Sequence, residues 1–465
     1  MTESSKDRCV GCKSNYLKAL TTQFDKFEAS IPLVKNGSEH LTLPHFNGNK
    51  NLPIHRWYVY KEGFSAGLLK WVCEITGLHL DSICSVLDPF VGVATSLLSA
   101  QLSYRGTEGL TLLGVERNPF TAFVARTKLG WQDFNADRIR AMIPLLVGRL
   151  SRGRSKDYEL PALTTIGNER VFDAGVIQDL LFARETINQA LDGRAELPFF
   201  QLGWASIIET ASNVRKDGRA LRFVTKDARP PVRSLLCEKW YQMLDDIIVT
   251  KQTQKFARGN VTTSIYDGDG RSLHVLNGLS DFDLIIYSPP YLNNLDYSEV
   301  YKLELWLTEA ISNYDEFRSL RASTFRSHPS YRFADTTLTD ELPPNSWPRR
   351  LRDHLLAALP DDQYLGERTR TIRGYVDDML TTVQSQFERV REGGFVVCVV
   401  GNSIHGNSEH PIPVATDLLI TSIARYIGFR VVKVQATRHT NRRQLLDAGS
   451  RESAIVLQKP KARAC

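Results

Sequence analysis

Ser288-Pro289-Pro290-Tyr291 follows Phe282–Tyr287, a run that is apolar except for Asp283. Two consecutive prolines cannot donate to a sheet ladder, so the chain is expected to leave the sheet there in a rigid, extended form. That exposes two acceptors, the Ser288 hydroxyl and the Pro289 carbonyl, with the Tyr291 ring beside them. The chemistry they suit is attack by an exocyclic amine of a nucleobase. Such an amine is a poor nucleophile because its lone pair is delocalised into the ring. Acceptors gripping its N–H bonds favour a pyramidal nitrogen and free the lone pair, while Tyr291 could stack on a base taken out of its helix. The plain alternative is a Pro-Pro turn closing an edge strand.

Far upstream, Asp88-Pro89-Phe90-Val91-Gly92 ends another apolar run, Ser82–Leu87. A carboxylate and a glycine at the carboxyl end of a buried strand stand where doubly wound folds bind a cofactor. Gly92 lets the backbone approach a ligand, and the following helix offers free N–H groups. Glu116 follows a second predicted strand, Leu112–Val115, and an acid there can accept hydrogen bonds from ribose hydroxyls. Asp269, in Gly268-Asp269-Gly270-Arg271, could accept one from an adenine amino group. Together the three acids describe a pocket for a nucleoside with a positive centre.

Positioning these residues requires an α/β framework. Strand, loop, helix and strand from Ser82 to Glu116 begin a parallel, doubly wound sheet. Helix Tyr375–Arg391, strand Phe395–Val400, helix Ala415–Tyr426, strand Phe429–Val434 and strand Ala454–Leu457 extend it. Residues 60–76 show helical spacing. Residues 1–50 read as a polar segment, irregular but for one short helix near Tyr16–Phe27. The division expected is 1–50 polar segment, 51–130 first core part, 131–257 helical insertion, 258–311 second core part with the proline motif, 312–372 Arg/Pro-rich insertion, and 373–465 third core part. The insertion 131–257 contains predicted helices Ala174–Ala190 and Phe200–Val214.

Composition is ordinary for a globular protein: 465 residues, 42% hydrophobic and 24% charged. The net charge of +6 fits a polyanionic partner without requiring one. No apolar run is long enough for a membrane span and no secretory leader is evident, which predicts a cytoplasmic, DNA-associated protein without membrane contact. Seven cysteines, an odd number, argue against a disulfide framework. Cys9 and Cys12 form a CxxC pair that His40, His45 or His55 could complete, but no second pair follows, so no metal is expected.

The chain resembles the amino-methylating (N4-cytosine and N6-adenine) DNA methyltransferases that use S-adenosyl-L-methionine. Their cofactor motif, Asp-Pro-Phe-x-Gly-x-Gly, matches Asp88–Ala94, and their Ser-Pro-Pro-Tyr form of the catalytic motif matches Ser288–Tyr291. VERNPF with Glu116, GDGR with Asp269, YKEGFSAG at 60–67 and REGGFVVCVVGNS at 391–403 extend the likeness over about half the chain. The resemblance implies a Rossmann-like sheet with a helical insertion domain, and catalytic residues Ser288, Pro289, Pro290 and Tyr291. It implies cofactor contacts from Lys61, Glu62, Phe64, Asp88, Pro89, Phe90, Gly92, Thr95, Glu116, Asn118 and Asp269. One departure is Ala94, where the motif has its second glycine. In the family the serine form goes mainly with N4-cytosine, by direct in-line displacement; N6-adenine is the near alternative. An RNA base methyltransferase and an inactive DNA-binding protein of the same fold stay open. A C5-cytosine mechanism needs a nucleophilic cysteine, usually after proline, and no Pro-Cys dipeptide exists; Cys237 and Cys398 lie in core-like surroundings.

The implied partner is double-stranded DNA, within a restriction-modification or defence system that would include a cognate nuclease. Arg215, Lys216, Arg219 and Arg222 are candidates for phosphate contact, as are Arg442 and Arg443 beside Gln444. Arg318, Arg321, Arg326, Arg332, Arg349, Arg350 and Arg352 compete for that role. Asn293 and Asp296 are expected to shape the loop after the catalytic motif.

Overall fold

From Leu284 to Tyr287 successive side chains enter opposite apolar layers: Leu284 and Ile286 one, Ile285 and Tyr287 the other. That period-two partition, repeated by Val396–Val400, is what a parallel sheet covered on both faces demands. The structure, a computed structural model, describes residues 3–35, 46–217, 220–224, 229–253, 260–407, 410–439 and 451–461, without side chains at 3–14, 220 and 438–439. Its strands are β1 (Leu33–Val34), β2 (Ser85–Asp88), β3 (Leu110–Glu116), β4 (Val214–Asp217), β5 (Ala220–Phe223) and β6 (Val261–Asp267). Next come β7 (Phe282–Tyr287), β8 (Val390–Gly401), β9 (Ser403–Gly406), β10 (Pro411–Val414), β11 (Arg430–His439) and β12 (Arg451–Gln458).

Eight strands form the central sheet in the order β1-β11-β12-β8-β7-β2-β3-β6, and β4-β5 and β9-β10 are separate hairpins. Only β12 runs against its neighbours in that sheet. The expected α/β doubly wound fold is what the structure has. The chain proceeds from β2 outward through β3 to β6, then returns to β7 on the other side of β2. That reversal makes the β2/β7 boundary the topological switch point, where such sheets open a crevice outside their carboxyl ends. Asp283, the polar exception in β7, staples the boundary: its carboxylate accepts from the Cys84 and Ser85 amides at 2.8 and 3.0 Å.

Some expectations need correction. The N-terminal helix runs Glu3–Glu28, far longer than a short one near Tyr16–Phe27. Its Leu20, Phe24 and Phe27, spaced four and three apart, are fully buried. Phe27 packs on Trp347 at 5.0 Å between centroids, and Glu28 pairs with the buried Arg451 at 2.7 Å. Residues 60–66 are turn and loop, and the helix starts only at Gly67. Phe200–Val214 is not one helix: helices Leu197–Ser206 and Ile208–Ala211 precede β4.

Candidate active site

β2 and β7 pair in parallel, Val86 opposite Leu284 and Leu87 opposite Ile285. The turns that follow them therefore emerge at the same end of the sheet. One open-mouthed cavity is lined by both turns. Of the residues singled out from sequence, Glu62, Phe64, Pro89, Phe90, Gly92, Thr95, Glu116, Asn118, Asp269, Ser288, Pro289 and Pro290 line it.

Each acid has a distinct local job. Glu116 Oε2 accepts from the Gly92 amide at 2.8 Å, and its Oε1 accepts from the Asn118 amide at 2.9 Å, tying the loops after β2 and β3 together. Burial raises the Glu116 carboxyl above its ordinary value, against those amide bonds. Asn118 caps the helix Pro119–Leu129, its side-chain oxygen accepting from the Phe120 amide at 2.9 Å. Burial would raise Asp269 too, but Arg271 grips it at 2.7 Å and holds it below its ordinary value. Arg271 also reaches Asp378 at 3.0 Å, anchoring the loop to helix Leu365–Arg389.

Asp88 lies beneath the loop and does not line the cavity. It is 1% exposed, accepts from the Phe90 amide at 3.0 Å and from the Ser96 hydroxyl, and is pushed by burial up to about 7. Lys61 also turns away, to Glu209 at 3.2 Å and the Lys216 carbonyl. Tyr291 is outside the lining as well. Its ring presses on Gly401, where an added Cβ would come within 2.9 Å, and its hydroxyl accepts from Ser288 Oγ at 3.2 Å.

Ala94 occupies the left-handed region, with φ 64° and ψ 35°, immediately before helix Thr95–Ser103. Glycine adopts that conformation freely and alanine does not, so the motif's departure carries strain. Ala94→Gly should raise unfolding free energy by up to about 1 kcal/mol, measured by urea denaturation; a less stable variant would refute the strain.

Sequence reasoning overlooked several walls. Tyr60 stacks on Tyr301 at 5.1 Å, and Tyr301 donates to the half-buried Glu62 carboxylate. Leu320, Ser323, Thr324, Phe325, Ser327 and His328, from the Arg/Pro-rich insertion, close another side. Phe325 meets Phe90 edge-on at 5.9 Å.

The arginine clusters mostly serve the fold. Lys216 is corrected most clearly: it is 5% exposed, pairs with Glu304 and lies 4.5 Å from the Tyr301 ring centroid. Arg215 and Arg222 are exposed on the β4–β5 hairpin, Arg222 pairing with Asp217. Arg219, Arg442, Arg443 and Gln444 lie outside the described residues. Arg321 pairs with Asp296, Arg326 with Asp378, and the buried Arg352 with Asp340. Arg349 donates to the carbonyls of Asp340 and Leu342, and Arg350 to Gln23. Arg318 and Arg332 stay exposed, Arg318 pairing with Asp315. Asp296 caps the turn Tyr297–Val300, and Asn293 accepts from the Leu295 amide; both shape the loop. His40, His45 and the side chains of Cys9 and Cys12 lie outside the described residues. His55 is buried and held neutral, its pKa lowered to about 3 by burial and by Lys128. Burial pushes the Cys398 thiol up to about 12, unsuited to nucleophilic duty.

No protein-family profile matches the chain. Curated relatives do. It is 24% identical to Type II methyltransferase M.BsoBI of Geobacillus stearothermophilus, across 90% of this chain and 88% of that one. It is 23% identical to Type II methyltransferase M.AvaI of Nostoc sp. and of Anabaena variabilis, across 90% of this chain and 87% of each. Among solved structures, the rRNA methyltransferase aviRa from Streptomyces viridochromogenes aligns over 91% of this chain and 96% of its own, at 9% identity and a TM-score of 0.30, too low to bear on fold or function. The homologues of this chain are thus Type II methyltransferases, and they imply S-adenosyl-L-methionine as methyl donor.

The residues present fit that donor. A Cβ on Gly270 would stand 1.9 Å from the Pro89 carbonyl oxygen, so the cradle between the two loops closes only around glycine. Burial also raises the Glu62 carboxyl. Acids held above their ordinary pKa favour a cationic ligand, which in turn favours their ionised forms. Binding then expels protons. Affinity for S-adenosylmethionine should rise with pH through the range in which the raised Glu62 and Glu116 carboxyls ionise. S-adenosylhomocysteine, which lacks the sulfonium charge, should show a weaker slope. Calorimetry of both ligands checks this; equal slopes would contradict it.

Proposed function

We propose that this chain is a Type II DNA methyltransferase acting on the exocyclic N4 of cytosine in double-stranded DNA, on a base turned out of the helix. One observation carries the reading: the acid-bearing turn after β2 and the Ser-Pro-Pro turn after β7 open into one cavity. The relatives support methyl transfer, and the serine form of the motif favours cytosine. When bound, S-adenosylmethionine supplies a methyl group on a sulfonium centre.

The chain's own residues do the rest. Glu116 holds the ribose and Asp269 the adenine, while Phe64, Phe90 and Gly92 shape the methionine end. Asp88 supports the loop from beneath. Ser288 Oγ and the Pro289 carbonyl accept the amine's N–H bonds, and the proline pair fixes their spacing without induced motion. Apolar walls from Phe90, Phe325 and Leu320 exclude water from the reacting nitrogen. The insertion 312–372, which lines the cavity through Leu320–His328, and the insertion 131–257 are target-recognition candidates, and Arg215 and Arg222 offer phosphate contacts. A cognate nuclease completes the system.

Transfer of label from methyl-tritiated S-adenosylmethionine to double-stranded DNA, compared with tRNA, tests the reading. Label in DNA is expected. Label confined to RNA, or none, would overturn it.

A further inference from the structure

His328 lines the cavity that holds Ser288, yet the residue is 1% exposed. Its Nε2 is buried and has no hydrogen-bond partner among the described residues. The other ring nitrogen is committed: Nδ1 lies 2.8 Å from Ser330 Oγ, which donates to Asp296 Oδ2 at 2.8 Å. Ser330 has one hydroxyl proton, and Asp296, a carboxylate held below its ordinary pKa despite burial, can only accept it. Ser330 Oγ must then accept from His328, which places the imidazole proton on Nδ1. Nε2 is left as a bare lone pair in the cavity wall. Asp296, Ser330 and His328 thus form an orienting chain, and its base end has no hydrogen-bond partner among the described residues. The Asn294 amide donates to the Ser327 carbonyl at 3.3 Å, fixing this segment against the loop that follows the Ser-Pro-Pro motif.

We propose that His328 Nε2 takes the proton released by the methylated amine. The proposal rests on the methyltransferase reading above. In the step, the amine lone pair forms the nitrogen–methyl bond while the methyl–sulfur bond breaks, its electron pair remaining on sulfur. The nitrogen is left with a positive charge and sheds one proton, which Nε2 accepts. The resulting imidazolium keeps its Nδ1 proton on Ser330, 3.7 Å from Asp296, and later passes the new proton to solvent. Ser288 and Pro289 only accept hydrogen bonds from a neutral amine and give the proton no destination; a neutral imidazole does. Burial lowers the His328 pKa from 6.5 and Arg321 adds to that, while Asp296 and Glu299 oppose it, so the ring is neutral and able to accept at pH 7.

His328→Asn is the diagnostic variant, because its amide can still donate to Ser330 where Nδ1 did and lacks the base. Single-turnover methyl transfer to unmethylated genomic DNA should fall by about 10²-fold, within the usual range for a lost acid–base group. S-adenosylmethionine affinity and the melting curve should match the wild type. The wild-type rate should fall as pH drops and His328 protonates, whereas the variant's should be flat there. Independently, nitrogen NMR of histidine-labelled protein should report a neutral Nδ1–H ring. A variant with wild-type rate and pH profile overturns the proposal, as does a protonated Nε2. A variant that loses rate, cofactor binding and melting temperature together assigns His328 to structure and overturns it as well. A wild-type protein that labels no DNA instead removes the underlying reading, a result distinct from these.

Discussion

Ser288→Ala should bind S-adenosylmethionine within about two-fold of the wild type and lose methyl transfer by about 10²- to 10³-fold, the usual cost of removing one preorganised polar group. The two effects separate because Ser288 stands at the end of β7, on the far side of the cavity's construction from Glu116 and Asp269. Its hydroxyl donates to Tyr291 and keeps its lone pairs for an incoming N–H. Alanine keeps the proline-stiffened turn and deletes one of the two acceptors. Equilibrium dialysis of the cofactor and single-turnover labelling of DNA read the two quantities. Unchanged turnover would remove Ser288 from the chemistry.

Gly270→Ala should act in the opposite way, through binding and folding. The added methyl would lie 1.9 Å from the Pro89 carbonyl oxygen and 3.1 Å from the Phe90 ring. Neither backbone can yield freely: Phe90 is tied through its amide to Asp88, and Arg271, the residue after Gly270, is clamped to Asp269 and Asp378. We expect a stability loss of about 1–3 kcal/mol, as for overpacked sites, and at least a ten-fold loss of S-adenosylmethionine affinity. Urea denaturation and calorimetry measure the two. Wild-type affinity and stability would mean that the loops can part without cost.

What was legible in the sequence follows from where the physics is local. Phe282–Tyr287 was read with its observed bounds because a strand buried on both faces is a short apolar run, and the prolines mark its end. The acids at positions 116 and 269 were legible because each sits at a strand end or in a glycine turn. Lys216 was misread because a cluster of basic residues looks solvated. In β4 the period of two turns Val214 and Lys216 inward and Arg215 and Asp217 outward, and the acid that neutralises Lys216 lies at Glu304. Arg321, Arg326 and Arg352 were misjudged for the same reason, since Asp296, Asp378 and Asp340 meet them only after folding. The wall from Leu320 to His328 left no periodic trace, although a histidine between small polar residues and proline was its one signal. The N-terminal helix was shortened because its polar outer face hides the spacing of Leu20, Phe24 and Phe27.

The central claim is that a proline-stiffened acceptor pair activates an exocyclic amine of cytosine. Its most direct test is to incubate the protein with S-adenosylmethionine and unmethylated genomic DNA, digest the product to nucleosides and identify the methylated one by mass. N4-methylcytidine in its deoxy form is the result expected. N6-methyladenine alone would contradict the choice of base, and C5-methylcytosine would contradict the amine chemistry itself.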